Sequence, residues 1–321
     1  MMTMTSVVFM GTPQFAVPIL EALLADPAYD VQAVLTQPDR RVGRKHQLTA
    51  SPVKQVAQAA GIKVFQPAKL SQSAELDELV AMAPDLMITA AYGQFLPTRL
   101  LAAARVAAIN VHGSLLPKYR GGAPIQYAIM NGDAETGVSI MYMVKQMDAG
   151  AVLAKRALPI EATDDAGTMF EKLSYLGRDL LMATLPKLLA GEIEAQPQDE
   201  SQVVFSPNIT TEQERIDYRL PARLIDAKVR ALRPRPLANM VIDGVVTKLL
   251  ATTPLAETTT QAPGTVVRVE KHALILAGGQ GTTYRIDRLK PAGKPAMDIT
   301  AYLNGHQNLK AGVQAITDDN D

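Results

Sequence analysis

The stretch Asn110-Val111-His112-Gly113-Ser114-Leu115-Leu116-Pro117 carries more potential chemistry than any other in the chain. The protein has four histidines and no cysteine, and one of those histidines follows an asparagine by two residues at the end of an apolar run, Val106-Ala107-Ala108-Ile109. A strand turns the same face outward at every second residue, so Asn110 and His112 point the same way. An amide donor polarises a carbonyl and an imidazole moves a proton, which together is the equipment of acyl transfer. Asp148 lies further on, in the turn Met147-Asp148-Ala149-Gly150. Beside His112 it would favour the imidazolium and fix the ring; its spacing is equally that of an ordinary Asp in a turn.

Other motifs exclude more than they offer. A nucleophile elbow needs G-x-S-x-G, and Leu116 stands where the second glycine belongs, so Ser114 lines or caps a loop. Gly11-Thr12-Pro13 after an apolar run lacks the remaining glycines of a dinucleotide fingerprint, and no phosphate-binding G-x-x-x-x-G-K-[ST] occurs, which favours a plain strand-to-helix turn. Without cysteine there is no thiolate nucleophile, disulfide or Cys-ligated zinc, and no metal is expected.

The elements that must position these residues alternate through the first half. Strands are expected at Val7–Met10, Val31–Leu35, Lys63–Phe65, Leu86–Ala90 and the run ending at Asn110. Helices are expected near Gln14–Leu24, Val53–Ala60 and Ser73–Ala81. Such alternation with short turns predicts an α/β, Rossmann-like parallel sheet covered on both faces, with ligands beyond the carboxyl ends of the strands. Val138–Met143 and Ala151–Ile160 read as a hairpin through the Asp148 turn, and a long helix follows from Asp165 to Leu189. Residues 191–209 read as a polar linker. A helix at Pro221–Leu232 and five short strands between Ala238 and Ile286 then predict a small β-barrel of the OB-fold kind. The expected domains are 1–190, the linker 191–209, a barrel over 210–313 and a disordered tail over 314–321.

Charge balances overall, 32 basic against 32 acidic residues, yet it is unevenly placed. Between Pro207 and Lys310 there are 15 Lys/Arg and 9 Asp/Glu; between Gln37 and Lys54, Arg40, Arg41, Arg44, Lys45 and Lys54 face Asp39 alone. Two basic patches in a neutral chain fit a polyanion as partner, and a solvated surface is the competing reading. The loop of Arg40, Arg41, Arg44 and Lys45 is long for a strand-helix connection and reads as a clamp on a phosphate backbone. The amino terminus has no basic secretory region, and no apolar run reaches the roughly 20 residues of a membrane span, so a soluble cytoplasmic monomer without membrane contact is expected.

His112-x-Ser114-Leu115-Leu116-Pro117, followed by Arg120-Gly121-Gly122-Ala123-Pro124-Ile125 and by Asp148, resembles the 10-formyltetrahydrofolate-dependent formyltransferases, and within them the members that act on aminoacyl-tRNA. Phe9-x-Gly11-Thr12-Pro13-x-Phe15, Thr36-Gln37-Pro38-Asp39-Arg40, Gly132-Asp133-x-Glu135-Thr136-Gly137, Ile216-Asp217-Tyr218 and Val229-Arg230-Ala231-Leu232-x-Pro234-x-Pro236 extend the likeness over nearly the whole chain. The resemblance implies transfer of the formyl group from 10-formyltetrahydrofolate to the methionine α-amine of initiator Met-tRNA, for translation initiation. It implies catalytic roles for Asn110, His112 and Asp148. It also implies folate contacts at Ser114, Leu115, Leu116, Pro117, Tyr92, Gln94, Phe95 and Leu96 and in the turn before Asp148, and tRNA contacts in the basic loop and the barrel. The family commonly has Trp at the position of Tyr218 and Lys at that of Thr211, so a single tRNA contact at 211 is missing here. The alternative activity is formyl transfer to a small amine such as an amino sugar, which has less use for the basic loop.

Overall fold

The computed structural model describes residues 4–43 and 46–318. Contacts divide the chain into two compact units: residues 1–124, 135–159 and 170–207 form one, and residues 125–134, 160–169 and 208–321 the other.

In the first unit, β1 (Thr5–Gly11) is buried from its second residue onward, as an apolar run in a central strand must be. A short 3-10 turn leads to α1 (Val17–Ala25) and β2 (Tyr29–Leu35). Next come β3 (Arg40–Val42), β4 (Gln47–Thr49), α2 (Pro52–Ala59), β5 (Lys63–Phe65), α3 (Ala74–Met82), β6 (Leu86–Ala90), α4 (Thr98–Leu101) and β7 (Ala107–His112). After α5 (Pro124–Met130), which from Ile125 on is counted with the second unit, the first unit continues with β8 (Glu135–Tyr142), β9 (Val152–Pro159) and, from Phe170 on, α6 (Ala166–Leu189). The sheet order is β5-β2-β1-β6-β7-β8-β9. The pairs from β5 to β7 are parallel, whereas β7–β8 and β8–β9 are antiparallel. The sheet is therefore mixed rather than purely parallel, because the hairpin β8–β9 joins its edge.

Three differences from the sequence reading bear on function. Strand β7 runs past Asn110 to His112, since β8 continues to pair there, with His112 opposite Ser139. The basic loop contains a hairpin, β3 paired antiparallel with β4; both strands are fully exposed, so no apolar alternation announces them. Residues 196–206 of the expected linker bond to the first unit: Gln196 exchanges two backbone bonds with Val152, and Arg120 and Ala123 bond to Val204 and Ser206.

The second unit holds α7 (Ala222–Ala231), whose Ala222, Ile225 and Val229 are buried against a curled antiparallel sheet. Its strands are β10 (Asn239–Ile242), β11 (Val245–Thr258), β12 (Val266–Glu270), β13 (Ala273–Ala277), β14 (Thr282–Pro291), β15 (Met297–Asp298) and, after α8 (Ile299–Leu303), β16 (Ile316–Thr317). The order is β12-β13-β14-β11-β10-β16, with β15 on β14. Residues 312–315 also bond to Gly264 and Val266 at the start of β12 (2.8–3.0 Å), which draws the two ends of the sheet toward barrel closure. Ile316 and Thr317, expected within the tail, are the strand that makes this possible, and Ile316 is fully buried.

Candidate active site

Strand β7 carries the site. Asn110 lies opposite Met141 of β8 and is half-buried; His112, two residues on, is 6% exposed. Ala108, Asn110 and His112 share a face by strand alternation.

The imidazole is fixed from one side. His112 Nε2 lies 2.9 Å from the carbonyl oxygen of Tyr119, which can only accept, so Nε2 carries the proton that makes this bond. Tyr119 itself has a left-handed φ of 62°, and its carbonyl accepts a second bond from the buried Ser206 hydroxyl (3.0 Å). That leaves Nδ1 as the working nitrogen, and it faces Asp148 Oδ2 at 3.8 Å. The distance exceeds a hydrogen bond and is a close approach of two groups with side-chain exposures of 7% and 13%. Asp148 Oδ2 also accepts the backbone N–H of Gly121 at 2.9 Å. Asp148 has a φ of 49°, a conformation Asp tolerates better than most residues. Gly150 follows because a Cβ there would sit 1.8 Å from the Tyr142 carbonyl oxygen. Sequence spacing left the approach of Asp148 to His112 open; the β8–β9 hairpin makes it.

Ser114 is fully buried, and its hydroxyl donates to the Lys118 carbonyl at 2.6 Å. Its own carbonyl accepts from Ser139 Oγ, which in turn accepts the Leu116 N–H. Leu116 is buried with Met141 and Val152, and its carbonyl accepts from Lys155 Nζ. Leu115 and Pro117 are half-buried. Ser114–Pro117 is thus a tightly fastened loop and not a free nucleophile.

The Tyr92 loop is a second polar knot. Tyr92 is in the core, its hydroxyl has no partner among the described residues, and burial pushes its pKa up to about 12. Its carbonyl accepts from Thr12 Oγ1 (2.8 Å) and Gln37 Nε2 (3.3 Å). The Gly11-Thr12-Pro13 turn therefore serves packing: a Cβ at Gly11 would lie 2.7 Å from Ala16 Cβ and 2.9 Å from the Ala90 carbonyl. Gln94 spends its amide on Pro67, Ala68, Gln37 and the Leu70 N–H. Leu96 is buried, and Phe95 is 60% exposed.

A cavity of about 350 Å³ opens beside Ala108, lined among others by Leu101, Ala104, Met143, Val144 and Lys145. Of the segments expected to meet folate, the run ahead of Asp148 lines it; Tyr92–Leu96 and Ser114–Pro117 do not. Arg40 and Arg41 are exposed on the hairpin, with Arg41 donating to the His46 carbonyl. Arg44 and Lys45 fall outside the described residues.

Sequence reasoning missed four groups that hold the site: the Tyr119 carbonyl, the Gly121 N–H, the Ser206 hydroxyl and Gln198, whose Nε2 bonds the carbonyls of Asp148 and Gly150. Two are backbone groups and leave no residue signal. Ser206 and Gln198 sit in polar sequence that reads as linker.

The formyl transferase family pattern matches residues 4–185, and the pattern of the formyl transferase C-terminal domain matches residues 208–307. The chain is 70% identical, over 98% of its length and all of the relative's, to the methionyl-tRNA formyltransferase of Limosilactobacillus fermentum. It is 65% identical to that of Levilactobacillus brevis, over 94% of this chain and 96% of the relative. Its fold is also that of an N-formyltransferase from Helicobacter canadensis, solved in complex with folinic acid and dTDP-3-aminofucose. The TM-score is 0.68, with 17% identity over 88% of this chain and 99% of that one.

Proposed function

The chain belongs to the formyl transferase family, and from that premise we propose how the site on β7 performs the reaction. The chain is an enzyme that formylates methionyl-tRNA, the activity named for relatives at 65–70% identity across both domains. The donor is 10-formyltetrahydrofolate, and the acceptor is the methionine α-amine of the initiator tRNA. No helix among the described residues is long and apolar enough to cross a membrane; work on a charged tRNA sets the place of action in the cytoplasm.

The cavity beside Ala108 fits a pterin. Its volume of about 350 Å³ is that of a small-molecule site, its walls at Leu101, Ala104 and Met143 are apolar, and Ala108, which shares a strand face with Asn110, lines it. The donor supplies a formyl group bonded to N10 of the folate. The amine attacks the formyl carbon, a C–N bond forms, and negative charge develops on the formyl oxygen. Asn110 donates its side-chain N–H to that oxygen. His112 accepts the proton of the attacking amine at Nδ1, because Nε2 is committed to the Tyr119 carbonyl. Asp148, across from Nδ1, stabilises the imidazolium so formed. The bond from the formyl carbon to N10 then breaks, and the proton held at Nδ1 passes to N10 as it leaves. The observation that carries this mechanism is the tautomer: a ring whose far nitrogen is pinned to a carbonyl offers one nitrogen to the substrate, and that nitrogen faces the only carboxylate at the site among the described residues.

A competition assay tests the reading. With 10-formyltetrahydrofolate as donor, formyl should go to Met-tRNA in preference to nucleotide-linked amino sugars. Preference for the sugar would sink the assignment, and the exposed basic hairpin would then have no role in it.

A further inference from the structure

Residues 196–206 have the composition of a linker, yet they grip both members of the His112–Asp148 pair. Ser206 holds Tyr119 (3.0 Å), whose carbonyl pins His112 (2.9 Å). Gln198 holds the other side. Its Nε2 donates to the carbonyls of Asp148 and Gly150, at 2.8 Å each, so one amide group ties down both shoulders of the turn that carries the carboxylate. Its Oε1 accepts from Arg120 Nε at 3.0 Å. Arg120 is 1% exposed, one of the largest fully buried side chains, and its other nitrogens make a two-pronged pair with Glu200 (2.8 and 3.2 Å). The Arg120 guanidinium holds the Glu200 carboxyl below the usual range, so Glu200 is ionised at neutral pH. A buried guanidinium with a bidentate partner is a stiff anchor.

We propose that Gln198 is a positioning residue for formyl transfer: anchored by Arg120 and Glu200, it holds the Asp148 turn so that the carboxylate faces Nδ1 of His112. The proposal rests on the assignment of Asp148 to the reacting group. A left-handed Asp is a conformation the turn must be made to keep, and two convergent N–H bonds from one amide are the restraint. The carboxylate itself accepts the Gly121 N–H, which comes from the residue after Arg120, so the restraints on the backbone and on the carboxylate of Asp148 trace back to the same arginine.

Gln198→Glu is the discriminating variant. It keeps an oxygen for Arg120 to bond and replaces the two N–H donors by an acceptor that faces two carbonyls. The expected result is a fall in kcat of about 10- to 100-fold, the scale of a sub-ångström misplacement of a catalytic group. KM for Met-tRNA and for 10-formyltetrahydrofolate should stay within about threefold, and the melting temperature within about 2 °C. Combined with Asp148→Asn, Gln198→Glu should cost less than about twofold more, because the two act as one unit. Glu200→Gln, at the exposed end of the chain of contacts, should give the same pattern at smaller size. Independent, multiplicative losses from Gln198→Glu and Asp148→Asn, or an unchanged kcat in Gln198→Glu, would overturn the positioning role. Asp148→Asn alone separates the two ideas: full activity there removes Asp148 from the mechanism, whereas a large loss there with none in Gln198→Glu rejects only the role of Gln198.

Discussion

The first unit carries two kinds of surface, and the proposed function gives each a different task. The His112–Asp148 end is buried and braced from several directions, down to a carbonyl that fixes a tautomer. The basic hairpin β3–β4 is exposed along its whole described length and tied only at its base, where Asp39 takes Lys54 (2.8 Å) and Gln66 (2.8 Å), and Thr36 meets Ser51 (2.7 Å). The contrast is the one the proposed reaction asks for. A proton moves between groups held at hydrogen-bond distance, and an error of an ångström is expensive. A polyanion is felt over roughly 8 Å at physiological salt, so a cationic strand can sway and still be drawn to its partner. Lys54 is spent on Asp39, which leaves Arg40 and Arg41 as the free cations among the described residues of the loop.

The largest expected effect tests the braced end. His112→Ala should lower kcat by about 10²–10⁴-fold, the range of lost acid–base help, with little change in KM. An unchanged rate would remove His112 from the mechanism. The loose end should answer in the opposite parameter. The double variant Arg40→Ala with Arg41→Ala should raise KM for Met-tRNA about tenfold at low salt and leave kcat at saturating tRNA intact. It should also flatten the slope of log affinity against log salt by roughly 0.7–0.9 for each phosphate the arginines no longer neutralise. Loss of folate binding with tRNA affinity intact would mean that the hairpin is not a clamp.

A smaller effect is expected at the hairpin's base. The Asp39 carboxyl is held below the usual range, first by the Gln66 amide and then by Lys54, so it is ionised at neutral pH. Asp39→Asn should increase trypsin cleavage at Arg40 and Arg41 several-fold and raise KM for Met-tRNA by less than the double arginine variant does. Equal cleavage of the two proteins at neutral pH would mean the base is held by something else.

The difference between the two ends also decides what could be read in the sequence. The spacing of Asn110 and His112 after an apolar run was legible because a strand's period of two turns sequence into direction. The placement of Asp148 was not, since it depends on how far β8 runs before it turns into β9. Buried polar residues were the least legible of all. Arg120 enters the sequence reading only through the family motif and Gln198 only as linker, because composition says nothing about a partner 78 residues away. In the second unit, where short strands are expected between Ala238 and Ile286, β11 is long and runs from Val245 to Thr258. Pro254 conceals the continuation, which the strand achieves with three register shifts against β14. The hairpin β3–β4 lacks apolar alternation, the only short-range signal that could have announced it.

The amino-terminal ends of the same strands provide the control. There Asp85, just ahead of β6, accepts from the Ser6 N–H (2.8 Å) and Ser6 hydroxyl (2.7 Å), with Arg105 on its other oxygen. Like Asp148, this is a carboxylate held in place by hydrogen bonds, here directly by several donors, but it sits at the opposite end of the sheet from the carboxyl ends that carry Asn110 and His112. Asp85→Asn should therefore cost stability, about 1–2 kcal/mol for charge-assisted bonds at a partly exposed group, or roughly 2–4 °C in melting temperature. It should not change kcat. The pH dependence fixes the sign. The Ser6 backbone N–H, ahead of the other donors, lowers the folded pKa of Asp85, so its contribution is fully present above the ordinary carboxylate pKa and is lost as pH falls through the lowered value. The gap in melting temperature between wild type and Asp85→Asn should accordingly be widest at neutral pH and close below about pH 4. A gap that persists in acid would mean the side chain acts there by shape and not by charge. A change in kcat would mean that bracing at one end of the sheet reaches the other.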